Sequence, residues 1–193
     1  MTEQPFSLTP FPAPNIPEIT ITGKVSRSSN LLTLHYSLAG EIEAVALPQA
    51  SVTPCRKDEL WKATCFEFFL AIQDQPGYWE FNMSPSGDWN VYHMDAYRRT
   101  GFREETSMQQ LAFELHKELG AFTLHATVDL ASMIQEAQSL EMGITAILQT
   151  RDGKETYWAL THAAPQADFH LRKSFVLMLA GQTQRLGQSA PAG

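Results

Sequence analysis

Two short stretches hold the residues best suited to chemistry. In Cys65-Phe66-Glu67-Phe68-Phe69-Leu70, a period of two puts Phe66, Phe68 and Leu70 on one side and Cys65, Glu67 and Phe69 on the other. In the stretch from Tyr78 to Ser84 the same period groups Trp79, Phe81 and Met83, and sets Tyr78, Glu80, Asn82 and Ser84 opposite them. Burying the two apolar sides together aligns Glu67, Glu80, Asn82 and Ser84 as one polar row. Beside aromatic rings, such a row suits a small ligand rich in hydroxyls: the rings cover its apolar face and the polar groups take its hydrogen bonds. The solvated outer face of any antiparallel sheet has the same pattern. A third reading takes Glu67 and Glu80 as the acid and base of glycoside cleavage, which needs carboxyls about 5–10 Å apart.

A second cluster is His162, Asp168 and His170, three metal-ligand types within one short segment. Its plain alternative is a loop held by local hydrogen bonds. Asp88, Asp95 and Asp152 are candidates for a calcium site. Cys55 and Cys65 are separated by nine residues, and without an export signal both are expected as free thiols. Other machineries are absent from the sequence: no Gly-rich phosphate loop, no Gly-x-Ser-x-Gly, no Cys-x-x-Cys and no His-Glu-x-x-His.

The elements that must position these residues are strands. Alternation predicts strands over Ile19–Ser26, Leu31–Ala39, Ile42–Leu47, Thr64–Ile72, Tyr78–Ser84 and Trp89–Met94. Further strands are predicted over Arg98–Glu105, Leu111–Leu119, Ala121–Asp129, Leu140–Thr150, Thr156–Thr161 and Ser174–Ala180. Turn residues separate them, as in Pro85-Ser86-Gly87-Asp88 and Arg151-Asp152-Gly153-Lys154. Asp129 is placed to cap one short helix through Gln135, with Leu130, Met133 and Ile134 on one face. The expected fold is therefore all-β: an antiparallel, jelly-roll-like sandwich of two sheets with one short helix. It is expected to span residues 18–180, between a proline-rich segment at 1–17 and a flexible tail at 181–193.

The 193 residues carry a formal net charge of -7 and 44% hydrophobic residues, enough for a sizeable core. An acidic chain repels phosphate backbones, and no basic run fits anionic lipid, so neither nucleic acid nor membrane is an expected partner. No stretch has the run of apolar residues that a membrane helix needs, and residues 1–17 lack the pattern of a secretory signal. The expected compartment is the cytoplasm.

The stretch Leu60-Trp61-Lys62-Ala63-Thr64-Cys65-Phe66-Glu67 has a Leu-Trp before a strand and a Glu six residues after the Trp. It is followed by a strand ending Asn82-Met83-Ser84-Pro85-Ser86-Gly87. Together they resemble the DOMON-like superfamily, which includes the family-nine carbohydrate-binding modules. The segment Thr156–Phe175, with Tyr157-Trp158-Ala159-Leu160-Thr161-His162 and Asp168-Phe169-His170, resembles stand-alone bacterial DOMON-like proteins. The resemblance implies a β-sandwich that holds a sugar or a haem and does no catalysis. It places Trp61 as a ring clamp, Trp158 as the second clamp, and Glu67 and Asn82 as hydrogen-bonding groups. It also departs from those modules, which carry a basic residue where this chain has Glu80. For haem, the resemblance implies a Met and His pair, which the sequence does not clearly place. The ligand implied is a mono- or disaccharide.

Overall fold

The computed structural model describes residues 3–97 and 101–182. Among these residues twelve strands form in chain order. They are β1 (Gln4–Pro10), β2 (Ile19–Ser28), β3 (Leu31–Gly40), β4 (Cys65–Ile72), β5 (Tyr78–Met83) and β6 (Trp89–Met94). Then come β7 (Arg103–Glu104), β8 (Phe113–Glu118), β9 (Ala121–Asp129), β10 (Leu140–Gln149), β11 (Glu155–Ala159) and β12 (Leu177–Leu179). Every pairing between these strands is antiparallel.

The hydrogen-bonded order is β7-β6-β5-β4-β10-β11-β1-β2-β3-β9-β8, with β12 beside β10. This corrects the expected pair of separate sheets. β1 belongs to both halves: Gln4 to Leu8 pair with β2, while Thr9 and Pro10 pair with β11. The result is one ladder that curls on itself. The segment read as a proline-rich extension is thus the strand that joins the halves.

The inner faces of the two halves meet. Phe66 on β4 stacks on Phe122 of β9 with ring centroids 5.4 Å apart. Tyr36 of β3 is fully buried and donates its hydroxyl hydrogen to the Glu67 carbonyl at 2.6 Å. Phe66, Phe68, Leu70, Trp79, Phe81 and Met83 all lie in this core, as the alternation predicts.

Several local readings are corrected. Ile42–Ala44 is a single 3-10 turn, not a strand, and only Val45 bridges to Thr150. Asp129 accepts a hydrogen bond from the Ala131 amide at 2.9 Å, and Leu130 and Ile134 are buried. One turn forms there rather than a helix, because Gln135 to Gln138 close a second turn at once. The strand expected over Arg98–Glu105 is reduced to Arg103–Glu104, and Arg98 to Thr100 lie outside the described residues. The last strand is confined to Leu177–Leu179, since Arg172–Ser174 form a 3-10 turn. Most of the expected tail, 183–193, also lies outside the described residues.

Strands β2, β3 and β9 show one buried and one open face. Strands β4 and β5 do not: Cys65 to Ala71 and Tyr78 to Met83 are buried on both faces. The outer face of this half is roofed by loops. A second apolar cluster there contains Phe69, Tyr78, Tyr92, Phe169 and Phe175. Gly143 on β10 makes room for it, since a Cβ there would sit 3.0 Å from the Phe175 ring.

Candidate functional site

The predicted polar row is real but lies under a roof, not in open solvent. Glu67 stands opposite Asn82, and Glu80 opposite Phe69, so both carboxyls point to the outer face of the β4–β5 pair. Two loops rise over that face. The 3-10 turn Leu60–Lys62 carries Trp61, whose ring meets Tyr92 at 5.6 Å and Phe102 at 6.5 Å. The segment after β11 folds back and brings Asp168, Phe169 and His170 over the strands, with Phe169 against Tyr157 at 6.0 Å. Between these two groups is a cleft of about 400 Å³.

Glu67 and Glu80 line the cleft, although they are only 2% and 8% exposed. Glu67 Oε2 accepts a long hydrogen bond from Thr145 Oγ1 at 3.4 Å, and Glu67 Oε1 is buried with no strong hydrogen-bond donor among the described residues. Burial first, then the neighbouring Glu80 charge, pushes the Glu67 carboxyl well above the ordinary carboxylate range. Burial also raises Glu80, against the opposing pull of His170 and of Asn82 Nδ2, which donates to Glu80 Oε1 at 2.8 Å. His170 Nε2 lies 3.9 Å from Glu80 Oε2, too long for a hydrogen bond, while its Nδ1 is 3.1 Å from the Tyr78 hydroxyl.

The rim tyrosines have already given their hydrogens away. Tyr92 donates to Asp58 Oδ1 at 2.5 Å, and Tyr157 donates to Glu155 Oε2 at 2.6 Å. The Glu155 bond and burial push the Tyr157 hydroxyl up to about 12, and burial with Asp58 raises Tyr92 as well. The Tyr157 oxygen is left as an acceptor, whereas the Tyr92 oxygen already accepts from Asn90 Nδ2 at 2.9 Å. Asp168 is itself engaged, accepting from the Tyr97 hydroxyl at 2.8 Å and from the His170 amide at 3.1 Å.

Of the residues singled out from sequence, Trp61, Glu67, Glu80, Asp168 and His170 come together around this cleft. Asn82 is fully buried and reaches the cleft only through Glu80. Trp158 is a correction. It is 2% exposed, packs in the central core, and its Nε1 donates to Thr156 Oγ1 at 2.9 Å. The strand period explains this: Tyr157 takes the cleft side, so its neighbour must face inward. Tyr92, Phe102, Tyr157 and Phe169 were missed. The only signal for Tyr157 was the phase of β11, and a large neighbouring indole masked it.

The metal reading is also corrected. His162 points away from the cleft, with Nε2 2.9 Å from the Thr9 carbonyl and its ring against Phe11. Asp168 and His170 therefore lack the third ligand. Among the described residues, no three His, Cys, Asp or Glu side chains converge on a metal position. The calcium candidates do not meet either: Asp88 pairs with Lys57, Asp95 with Arg103 and Asp152 with Lys154. Haem does not fit. Met94 and His170 both line the cleft, but both His170 nitrogens face Tyr78 and Glu80, and two buried carboxyls would oppose the haem propionates.

No known family model and no curated protein matches the sequence. Solved structures do match the fold. A "putative carbohydrate-binding protein" from Bacteroides uniformis is 16% identical with a TM-score of 0.65, over 92% of this chain and 85% of that one. A family-nine carbohydrate-binding module from Caldicellulosiruptor kristjanssonii, in complex with cellotriose, is 11% identical with a TM-score of 0.53, over 93% and 84%. A glucose complex of such a module from the same organism gives 11% and 0.52, over 90% and 83%. At these identities the likeness is one of fold.

Proposed function

We propose that this chain is a non-catalytic carbohydrate-binding domain of the DOMON-like type, and that the cleft beside Trp61 takes a mono- or disaccharide. One observation carries the reading: two buried carboxyls at the cleft, Glu67 and Glu80, lie beside a collar of aromatic rings. Indole and phenol rings remove the C–H face of a sugar from water, and carboxyl oxygens accept its hydroxyl hydrogens. The fold likeness to family-nine modules supports it, as does the position of Trp61 and Glu67 in the motif. Affinity is expected in the micromolar to millimolar range, because a sugar brings little apolar area and a firm hydration shell. Calorimetry with a broad panel of mono- and disaccharides tests the reading, and no heat from any of them overturns it.

The second reading is glycoside cleavage by Glu67 and Glu80. The raised carboxyl of Glu67 favours it, since an acid held protonated is half of such a pair. The other half is missing: Glu80 is raised too, and among the described residues no cation within hydrogen-bonding distance holds it ionised as a base or nucleophile. Release of a chromophore from aryl glycosides, lost in Glu67→Gln, would establish the enzyme instead.

A further inference from the structure

The polar groups of the cleft are unbalanced. Glu67, Glu80 and the Tyr157 oxygen offer lone pairs, and the Tyr157 hydrogen is already committed to Glu155, while the Tyr92 hydroxyl is fully engaged by Asp58 and Asn90. Glu67 Oε1 is buried in a residue only 2% exposed and accepts no strong hydrogen bond among the described residues; the Cys65 thiol beside this carboxyl is a weak donor. Among the described residues no Lys or Arg lines the cleft. The one basic group there is His170, 3.9 Å from Glu80 and tied to Tyr78. A site made of acceptors calls for a ligand made of donors. The ring faces of Trp61, Tyr92 and Phe102 add negative potential, which attracts a cation at close range.

We propose that the cleft selects a sugar bearing a free primary amine, whose ammonium sits between Glu67 and Glu80 while its ring lies against Trp61. This rests on the sugar-binding reading above. An ammonium brings three donors where a hydroxyl brings one, and its charge strengthens each bond. An N-acetylated sugar is disfavoured, because its carbonyl oxygen meets acceptors.

Binding also moves a proton. Tyr36 from below, Cys65 on β4, Tyr92, Tyr157 and His170 face the carboxyl pair, with Asp168 at the rim, and only His170 among them can carry positive charge. Burial without a cation beside the pair therefore favours the protonated form of one carboxyl. An arriving ammonium displaces that proton to solvent as the carboxylate forms, whereas a neutral sugar displaces none.

The test is calorimetry on the full chain with glucosamine, glucose and N-acetylglucosamine, and with the corresponding galactose set. Running it in buffers of different ionisation heat reports proton release. The expected result is that at least one amine sugar binds about tenfold or more tightly than its hydroxyl counterpart, with proton release seen only for the amine. Glu67→Gln, and independently Glu80→Gln should the first variant fold poorly, is expected to bring the ratio of the two affinities close to one. Equal affinities for amine and hydroxyl sugars in the wild-type protein would overturn the selectivity and leave the sugar reading standing. No heat from the six sugars or from the broader panel of mono- and disaccharides would overturn both.

Discussion

Tyr157 and Trp158 are adjacent in sequence and belong to different parts of the protein: the Tyr157 ring lines the cleft, while the Trp158 indole is locked in the core by its bond to Thr156. Their substitutions should separate cleanly. Trp158→Ala removes a fully packed indole and should cost about 3–5 kcal/mol of stability. Tyr157→Ala should leave the denaturation midpoint nearly unchanged and weaken sugar binding. Urea unfolding beside calorimetry measures both, and a reversed pattern would mean that β11 is out of phase.

Trp61 sits on a 3-10 turn rather than within a strand, and it is only half-buried against Tyr92 and Phe102. Trp61→Ala should lower sugar affinity by about tenfold or more, equivalent to about 1.4 kcal/mol. It should shift stability by less than it shifts binding. Loss of the folded state on this substitution would assign Trp61 to the core and move the site elsewhere.

Glu67 makes stability depend on pH in a definite direction. Its carboxyl is raised above the ordinary 4.5 in the folded chain, so the folded state holds the proton more tightly than the unfolded one. The stability this contributes is complete below about 4.5 and is lost as pH climbs through the raised value. Glu67→Gln should flatten that part of the profile and be more stable than wild type at pH 8, by about 1–3 kcal/mol, because the amide cannot ionise in the buried site. Unfolding midpoints at pH 4 and pH 8 decide it, and parallel profiles for both proteins would refute it.

Asp88 acts in the opposite sense. Burial tends to raise it, but hydrogen bonds from Lys57, Ser51, Ser86 and the Cys55 amide outweigh burial and hold the carboxyl well below its usual range. Its contribution is present above the usual aspartate range near 3.8 and fades as pH falls through the depressed value. Asp88→Asn should cost about 2 kcal/mol at neutral pH, as expected for charged hydrogen bonds. It should also loosen the segment that runs from Ser51 toward Trp61. In the wild type Cys55 is exposed and Cys65 buried, so one thiol should react promptly with a thiol reagent and the other only on unfolding. Faster Cys65 labelling in Asp88→Asn would report the loosening; unchanged stability and labelling would remove Asp88 from this role.

The hairpins were legible because one-sided burial writes a period of two into β2, β3 and β9, and because Phe, Trp and Met mark the inner side of β4 and β5. That phase was enough to put Glu67 and Glu80 on one face. The roof over that face was not legible. Residues 160–175 cover it with a 3-10 turn and irregular backbone, which carry no hydrophobic period. The role of Trp158 was misread because a large aromatic stood one residue from the position that faces the ligand side. β1 went unread because Pro5 and Pro10, inside a seven-residue strand, look like linker composition.

β1 gives the chain a late closing step. Its first five residues pair with β2, and that hairpin can form as soon as both strands exist, since they are near neighbours. Its last pairs, Thr9 with Ala159 and Pro10 with Trp158, must wait until β11 has been synthesised. A growing polypeptide on the ribosome therefore carries the β1–β2 hairpin with a waiting edge until residue 159 has been made. Loops of this length are slow to close, and an unpaired edge is open to strands of other molecules in the meantime. The seam is thus a place where a nascent chain is exposed to mispairing, and where a folding delay would be felt as aggregation.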